Sequence, residues 1–377
     1  MSGNIDSKLA EIIQELNSRW PENKIEPSLD RIAMLLDYLG NPQETFRSIH
    51  LAGTNGKTST SRMIDSLLRS FGIRTGRYTS PHLEDIRERI SIDGELITPE
   101  FFIYTYEDIK PYIELVDARS EHPLSYFEVL TAMAYAAFAD APIDVGVIEC
   151  GVGGAWDATN VINSDVAVMT PIGLDHQEYL GGTIAEIAHT KAGIFRSGKP
   201  SVLAHQTREA AEVLIRESAT IESIPLREGL DFALIRRDVA VGGQLLTIQG
   251  LGGTYEDIFL PLYGRHQASN AALALVAVEA FLGGGAQQLD INAVRDGFAQ
   301  ATSPGRLEVM RRNPTVIIDA AHNHHGALAL REALSEEFAF DRIIAIVAIL
   351  GDKDVTGFLS ELVNVVDEII VTENSSP

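Results

Sequence analysis

At 377 residues, with 45% hydrophobic and 22% charged residues, the chain is long enough for two domains that each bury a core. Its formal net charge of −23 speaks against nucleic acid as a partner, because a phosphate backbone demands a surplus of Lys and Arg; an anionic ligand must be held by a local basic pocket. No run approaches the roughly 20 apolar residues of a membrane span, and one cysteine, Cys150, excludes an internal disulfide, so a cytoplasmic protein away from membranes is expected.

The first forty residues read as helical. Ile32, Leu35, Leu36 and Leu39 recur at helical spacing and stop at Gly40-Asn41-Pro42. Ile49 to Ala52 is a short apolar strand running into Gly53-Thr54-Asn55-Gly56-Lys57-Thr58-Ser59 and then a helix. Gly53 and Gly56 let backbone N–H groups turn inward around an anion, and Lys57 adds a mobile positive charge. Thr58 offers a hydroxyl to Mg²⁺, and the helix aims the positive end of its dipole at the phosphates. The usual phosphate-loop pattern places a glycine where Leu51 stands, so this loop is short. The strand before it and the helix after it still favour a nucleoside triphosphate site over a chance turn.

The helix over 58–71 carries Met63, Ile64, Leu67, Leu68 and Phe71 on one side. Arg89 to Thr98 alternate around Asp93-Gly94, a hairpin signature. Tyr126 to Asp140 is an apolar helix, and Ile143–Ile148 and Asp165–Thr170 are apolar strands of a parallel sheet buried on both faces. Residues 231–262 break this rhythm with glycines and β-prone stretches, read as an antiparallel insertion or edge sheet. An apolar helix from Gln267 to Leu282 follows, and Ala301 to Gly305 is a small, turn-forming linker. Beyond it, strands over Val316–Ala320, Ile343–Ile349 and Glu368–Val371 alternate with helices as a second α/β unit. That unit stops early for a doubly wound sheet and is expected to be incomplete. The fold class expected is therefore α/β. A P-loop ATPase domain with a parallel sheet (1–300) is joined through the linker 301–305 to a smaller Rossmann-like α/β domain (306–377).

Ligands bind at the carboxyl ends of strands in such sheets. Glu149 ends one strand and leads into Cys150-Gly151-Val152-Gly153-Gly154; a carboxylate there, facing the phosphate loop, suits Mg²⁺. Asp157-Ala158-Thr159-Asn160 continues that polar turn. His176, after Asp175, is read equally as a metal or phosphate contact and as a structural histidine. Lys191, before Ala192-Gly193, is ordinary helix C-terminal chemistry on spacing alone. In the second unit, Asp319-Ala320-Ala321-His322-Asn323 and Asp352-Lys353-Asp354 occupy corresponding strand ends, and Arg306 is placed to reach back to a phosphate. Two polar edges facing each other across a linker suggest a cleft that closes on ATP and a second substrate.

Taken in order, these segments resemble folylpolyglutamate synthase/dihydrofolate synthase, a group within the Mur ligase superfamily of ATP-dependent amide ligases. The matching stretches are Ile49–Thr60, Tyr78–Leu83, Glu149–Gly154 with Asp157–Asn160, Gly173–His176, Leu180–Ile184, Lys191–Ile194, Pro304–Arg306 and Asp319–Asn323. The resemblance implies that ATP is the co-substrate and that Ser80, Glu149 and His176, with Thr58, hold Mg²⁺. It also implies that Lys191 is carbamylated and becomes a ligand of a second Mg²⁺, reversing the reading from spacing. Lys57, Lys191 and His176 would be catalytic; Asn270, Arg306, Asp319 and His322 would join the loop in holding the nucleotide. Thr79, Pro81, His82 and Leu83 match a loop at the folate site, and Phe127 a helix near the pterin. The partners implied are a folate or dihydropteroate, L-glutamate and ATP, and a monomer is expected. The chain departs from the pattern at Thr58-Ser59, His189-Thr190 and Ala320, and members of the family continue well beyond residue 377. Another amino-acid ligase of the superfamily, a P-loop kinase for small molecules and a non-catalytic nucleotide-binding regulator stand as alternatives.

Overall fold

In a computed structural model, residues 2–21, 27–351 and 353–373 are described. Asp352, named above, lies outside them, as do residues 374–377 and part of the first forty residues.

The strands of the larger unit are β1 (Arg47–Ala52), β2 (Thr75–Tyr78), β3 (Ile90–Ile92), β4 (Glu95–Leu96), β5 (Val145–Glu149), β6 (Val166–Met169), β7 (Pro200–Leu203) and β8 (Ile224–Arg227). They form one sheet in the order β4-β3-β2-β5-β1-β6-β7-β8. From β2 to β8 its neighbours pair in parallel, and β3 and β4 add an antiparallel hairpin at the edge. Asp93 and Gly94 both have positive φ in that hairpin's turn, as a primed turn requires.

The helices are α1 (Ser2–Asn17), α2 (Asp30–Tyr38), α3 (Lys57–Ser70), α4 (Pro99–Asp117), α5 (Tyr126–Asp140), α6 (Gln177–Leu180), α7 (Ile184–Ala192), α8 (Arg208–Ile221), α9 (Arg265–Gly283) and α10 (Ile291–Ala299). Strand alternation sorts them into layers. Ile49 and Leu51 of β1, with Val145, Val147, Val166 and Val168, pack against α3 and α9 on one face. Tyr78 and Ile148 meet α4 and α5 on the other, while Ala52, Ala167 and Met169 meet α7 and α8. Burial on both faces explains why these strands read as unbroken apolar runs. Local signals agree with the packing: Ser125 and Glu128 form a capping box at the start of α5, and Thr183 and Glu186 do so at α7.

The glycine-rich stretch over 231–262 is a separate antiparallel sheet of β9 (Ala233–Ala240), β10 (Gly243–Gln249) and β11 (Thr254–Leu260), in the order β11-β10-β9. The second unit holds β12 (Glu308–Arg312), β13 (Thr315–Ile318), α11 (His324–Glu337), β14 (Ile344–Val347), α12 (Val355–Leu362) and β15 (Glu368–Val371). Its strands differ from the three read in the sequence. β12 is an additional strand paired antiparallel with β13, and β14 pairs in parallel with β15. β12 lacks an apolar run of its own and becomes a strand only by pairing across the turn at Asn313-Pro314.

Candidate functional site

β1 is followed in the chain by β2 but lies between β5 and β6, so the chain changes direction across it. Crevices form at the carboxyl ends of strands at such a switch point. Here a cleft of about 850 Å³ runs from the phosphate loop to the N-terminal helical layer, with the second unit as its far wall.

The loop's shape is set by its glycines. Gly53 has φ 144°, and a Cβ there would sit 1.9 Å from Thr170 Oγ1; Gly56 has φ 91°, and a Cβ would sit 2.6 Å from Asn270 Oδ1. Thr54 and Asn55 donate their amides to Pro171 O at 2.9 and 3.3 Å, fastening the loop to the segment after β6. Lys57 opens α3 and folds over its own loop, with Nζ 3.2 Å from Gly53 O. Thr58 Oγ1 donates to Glu149 Oε1 at 2.9 Å. Glu149 is buried, and its Oε2 has no hydrogen-bond partner among the described residues. Burial pushes its carboxyl up, against the pull of Lys57 and of the Thr58 hydrogen bond.

Lys191 is not the solvent-facing helix end that its spacing suggested. It is buried, and its Nζ donates to Gly53 O at 2.8 Å from behind the loop. Burial, followed by the neighbouring Lys57, lowers its pKa to about 7. The turn after β5 makes room for this: a Cβ on Gly154 would sit 2.6 Å from Lys191 O. His176 has φ 49° and lines the cleft beside Asp175; burial takes its pKa down to about 4 despite that carboxylate. Ser80 lines the cleft as well.

Asn270, Arg306, Asp319 and His322 converge on the same space, the last three from beyond the linker. Asp319 accepts from the amides of Leu307 and Ala321 at 2.9 and 2.8 Å, so its carboxylate is held rigidly at the domain junction. Of the residues expected around a folate, Pro81 and Phe127 line the cleft, with the Phe127 ring so close to Gly151 that a Cβ there would lie 2.7 Å from its Cζ. Thr79, His82 and Leu83 do not. Thr79 is buried against Arg89 O through its amide, His82 Nδ1 accepts from Arg89 Nε at 2.9 Å, and Leu83 packs beside Gly305. Ser59 is also inside, its hydroxyl 2.9 Å from that of Ser303 in the linker.

Several lining residues escaped the sequence reading: Trp20 and Arg31 from the N-terminal layer, and His205, Glu228 and His266 further along the sheet edge. The strands beneath His205 and Glu228 were not recognised, so neither could be placed at an edge. Among the described residues no group of three His, Cys, Asp or Glu side chains forms a ready metal cage. The donors present are instead oxygen-rich and incomplete: a buried carboxylate, one oxygen bonded to the Thr58 hydroxyl and the other orphaned, with Ser80 lining the same cleft. Mg²⁺ suits such a set, since it takes one or two carboxylates and fills its shell with phosphate oxygens and water.

A phosphate loop at a switch point, faced across a cleft by a second α/β domain, defines a two-domain nucleotide-handling protein, and the chain belongs to the Mur ligase family. It matches that family's middle domain over residues 51–278 and the Mur ligase, glutamate ligase domain over residues 305–377. Within the family it falls in the dihydrofolate synthase/folylpolyglutamate synthase group. The Mycobacterium tuberculosis dihydrofolate synthase/folylpolyglutamate synthase is 54% identical over 98% of this chain and 79% of its own length. The M. tuberculosis folylpolyglutamate synthase solved with ADP superposes with a TM-score of 0.95 at 52% identity, covering 99% of this chain and 83% of that one. An FPGS–AMPPCP–folate complex superposes with a TM-score of 0.91 at 34% identity over 96% and 88% of the two chains.

Proposed function

We propose that the protein is an ATP-dependent ligase that joins L-glutamate to the terminal carboxylate of a folate, with dihydropteroate as an alternative acid. One observation carries this reading: a single cleft has the phosphate loop and Glu149 at one part of its wall and the Phe127 ring at another, so a triphosphate and an aromatic acid can meet in it.

The acid's carboxylate oxygen attacks the γ-phosphorus of ATP, forming an acyl phosphate and releasing ADP. The neutral amine of L-glutamate then attacks the acyl carbon, the C–O bond to phosphate breaks, and one amine proton leaves with the phosphate while the other stays on the amide nitrogen. Lys57, released from Gly53 O, follows the charge that develops on the transferred phosphoryl group. Thr58, Ser80, Glu149 and His176 would hold magnesium, which when bound supplies positive charge to the phosphate oxygens. Lys191 is suited to carbamylation, because a pKa of about 7 leaves much of its amine neutral near neutral pH. The neutral amine adds CO₂ and loses one proton, turning a buried cation into an anionic oxygen ligand. Asn270, Arg306, Asp319 and His322 grip the nucleotide from both domains. The acyl phosphate must be kept from water; Asn323, which donates to Asn55 Oδ1 at 3.0 Å, and Lys353, 3.1 Å from Asp175 Oδ1, hold the second domain over the loop. We also infer that the protein works as a monomer in the cytoplasm, in keeping with its single, buried thiol.

The test is ADP release with dihydropteroate or tetrahydrofolate, each with and without L-glutamate. Release that needs both an acid of this class and glutamate is the expected outcome. Phosphorylation of the acid as a stable end product, or turnover indifferent to glutamate, would replace the ligase by a kinase.

A further inference from the structure

The phosphate loop anchors one end of the nucleotide, and strand order limits where the base can lie. β1, β6, β7 and β8 stand side by side. At about 4.8 Å per strand, the segments after β7 and β8 open onto the cleft roughly 10 to 14 Å sideways from the loop, the reach of a nucleoside beyond its phosphates. α9 packs on α3, β6 and β7, and its first two turns bring Asn270 against Gly56 and His266 to the cleft wall. His205 after β7, Glu228 after β8 and His266 line the cleft on the side of the first domain, and Ala329 and Leu330 of α11 line it from the second. The surroundings suit a flat base: apolar carbon from one domain, polar edges from the other.

Glu228 is the informative residue among these. Its Oε2 accepts the backbone amide of His205 at 2.8 Å, which fixes the carboxylate. Its Oε1 accepts from none of the described residues. The side chain is mostly covered, and nothing in the proposed reaction uses it. A fixed carboxylate can only accept hydrogen bonds. Adenine presents a 6-amino donor, whereas guanine and hypoxanthine present an oxygen at that position, which a carboxylate repels.

We propose that Glu228 selects the base, its Oε1 accepting the 6-amino group of an adenine whose phosphates occupy the Gly53–Thr58 loop. The His205 amide acts as a positioning group that keeps this oxygen aimed into the cleft. The assignment rests on the ATP reading above and extends it from phosphate binding to base choice.

Equilibrium binding of ADP, IDP and GDP, measured calorimetrically on the full chain without acid or glutamate, tests it. The unaltered protein should bind ADP about tenfold or more tightly than IDP, which differs at the 6-position, because a desolvated carboxylate facing an oxygen is left unpaired. Glu228→Gln, whose amide can donate to a 6-oxygen, should bring the ADP:IDP ratio close to one. Lys57→Ala should weaken all three nucleotides by a similar factor and leave the ratio intact. Equal binding of ADP and IDP by the unaltered protein overturns the assignment without any variant having to fold. An unchanged ratio in Glu228→Gln overturns it as well. Absence of ADP binding overturns both this assignment and the ATP reading beneath it, whereas tight but unselective binding overturns this one alone.

Discussion

Lys191 shows how far a buried position changes a common side chain. An exposed lysine in the last turn of a helix holds its proton to about pH 10.5, its ordinary value, whereas burial beside Lys57 brings this one to about 7. Raising the pH through 7 therefore frees the amine. At a fixed CO₂ pressure, activity should climb between pH 6 and 8, and enzyme freed of CO₂ should regain activity when CO₂ is returned. The same shift bears on stability. Between about pH 7 and 10.5 the unfolded chain holds a proton that the folded one has lost, so this residue makes stability rise with pH across that window. Lys191→Met should flatten that rise in thermal melts. Lys191→Ala should lose about 10² to 10³ of the rate, in line with loss of one charge-stabilising group, and recover part of it with acetate. Full activity without acetate would remove Lys191 from the mechanism. Lys57→Ala should cost a similar factor in folate-dependent ADP release, and unimpaired turnover would exclude its role on the phosphoryl group.

Elements differ in how openly the sequence declares them, and the reason is where their constraints come from. The loop between β1 and α3 was legible because backbone geometry demands glycine at particular positions. Gly53→Ala should lose stability by about 1–3 kcal/mol from strain alone, with the Thr170 contact adding to it, and should abolish nucleotide binding. Urea denaturation with and without ADP would check both parts. α5 was legible because apolar residues fill it, the structure adding the Ser125–Glu128 capping box at its start, and the hairpin around Asp93-Gly94 was legible from its turn. Glu228 and β12 were not, and Lys191 was legible only through the family resemblance, not from its spacing. The local pattern around Lys191 is that of any helix end, and its burial depends on Gly154, more than thirty residues away. Glu228 gains meaning only from β8 lying three places from β1, which pairing decides and spacing does not. Contacts between α5 and the turn after β5 likewise emerge only in three dimensions. Gly151→Ala would drive a methyl into the Phe127 ring, so KM for the acid substrate should rise several-fold while ADP affinity stays unchanged. Equal loss of both affinities would mean that the turn serves the nucleotide instead.

At the scale of the whole molecule, catalysis depends on how the second domain is held over the first. Polar contacts near the cleft, between Asn55 and Asn323 and between Asp175 and Lys353, join the domains where substrates must enter and leave. A more permanent attachment lies away from the cleft. Arg237 of β9 pairs with Glu336 and Glu337 at the end of α11, and Glu337 Oε1 also accepts the amide of Gly264 at 2.7 Å. The Glu337 side chain is fully covered, with Oε2 unpartnered among the described residues. Burial raises its carboxyl pKa, and Arg237 and the Gly264 amide hold it down. Removing the guanidinium leaves a covered carboxylate without its counter-charge, which typically costs about 3–5 kcal/mol. Arg237→Met should therefore destabilise the protein by about 3 kcal/mol in urea unfolding, and Arg237→Lys should restore only part, since an ammonium cannot reach both carboxylates with a planar fork. The loss should depend on pH in a definite direction. A carboxyl whose folded pKa lies above its unfolded one binds a proton on folding, so lowering the pH stabilises the folded variant through that group. The deficit of Arg237→Met should accordingly shrink between pH 8 and pH 5. A deficit that is constant across that range would assign the stability lost to packing of the arginine stem over α11, and would leave the charge on Glu337 without a part in joining the domains.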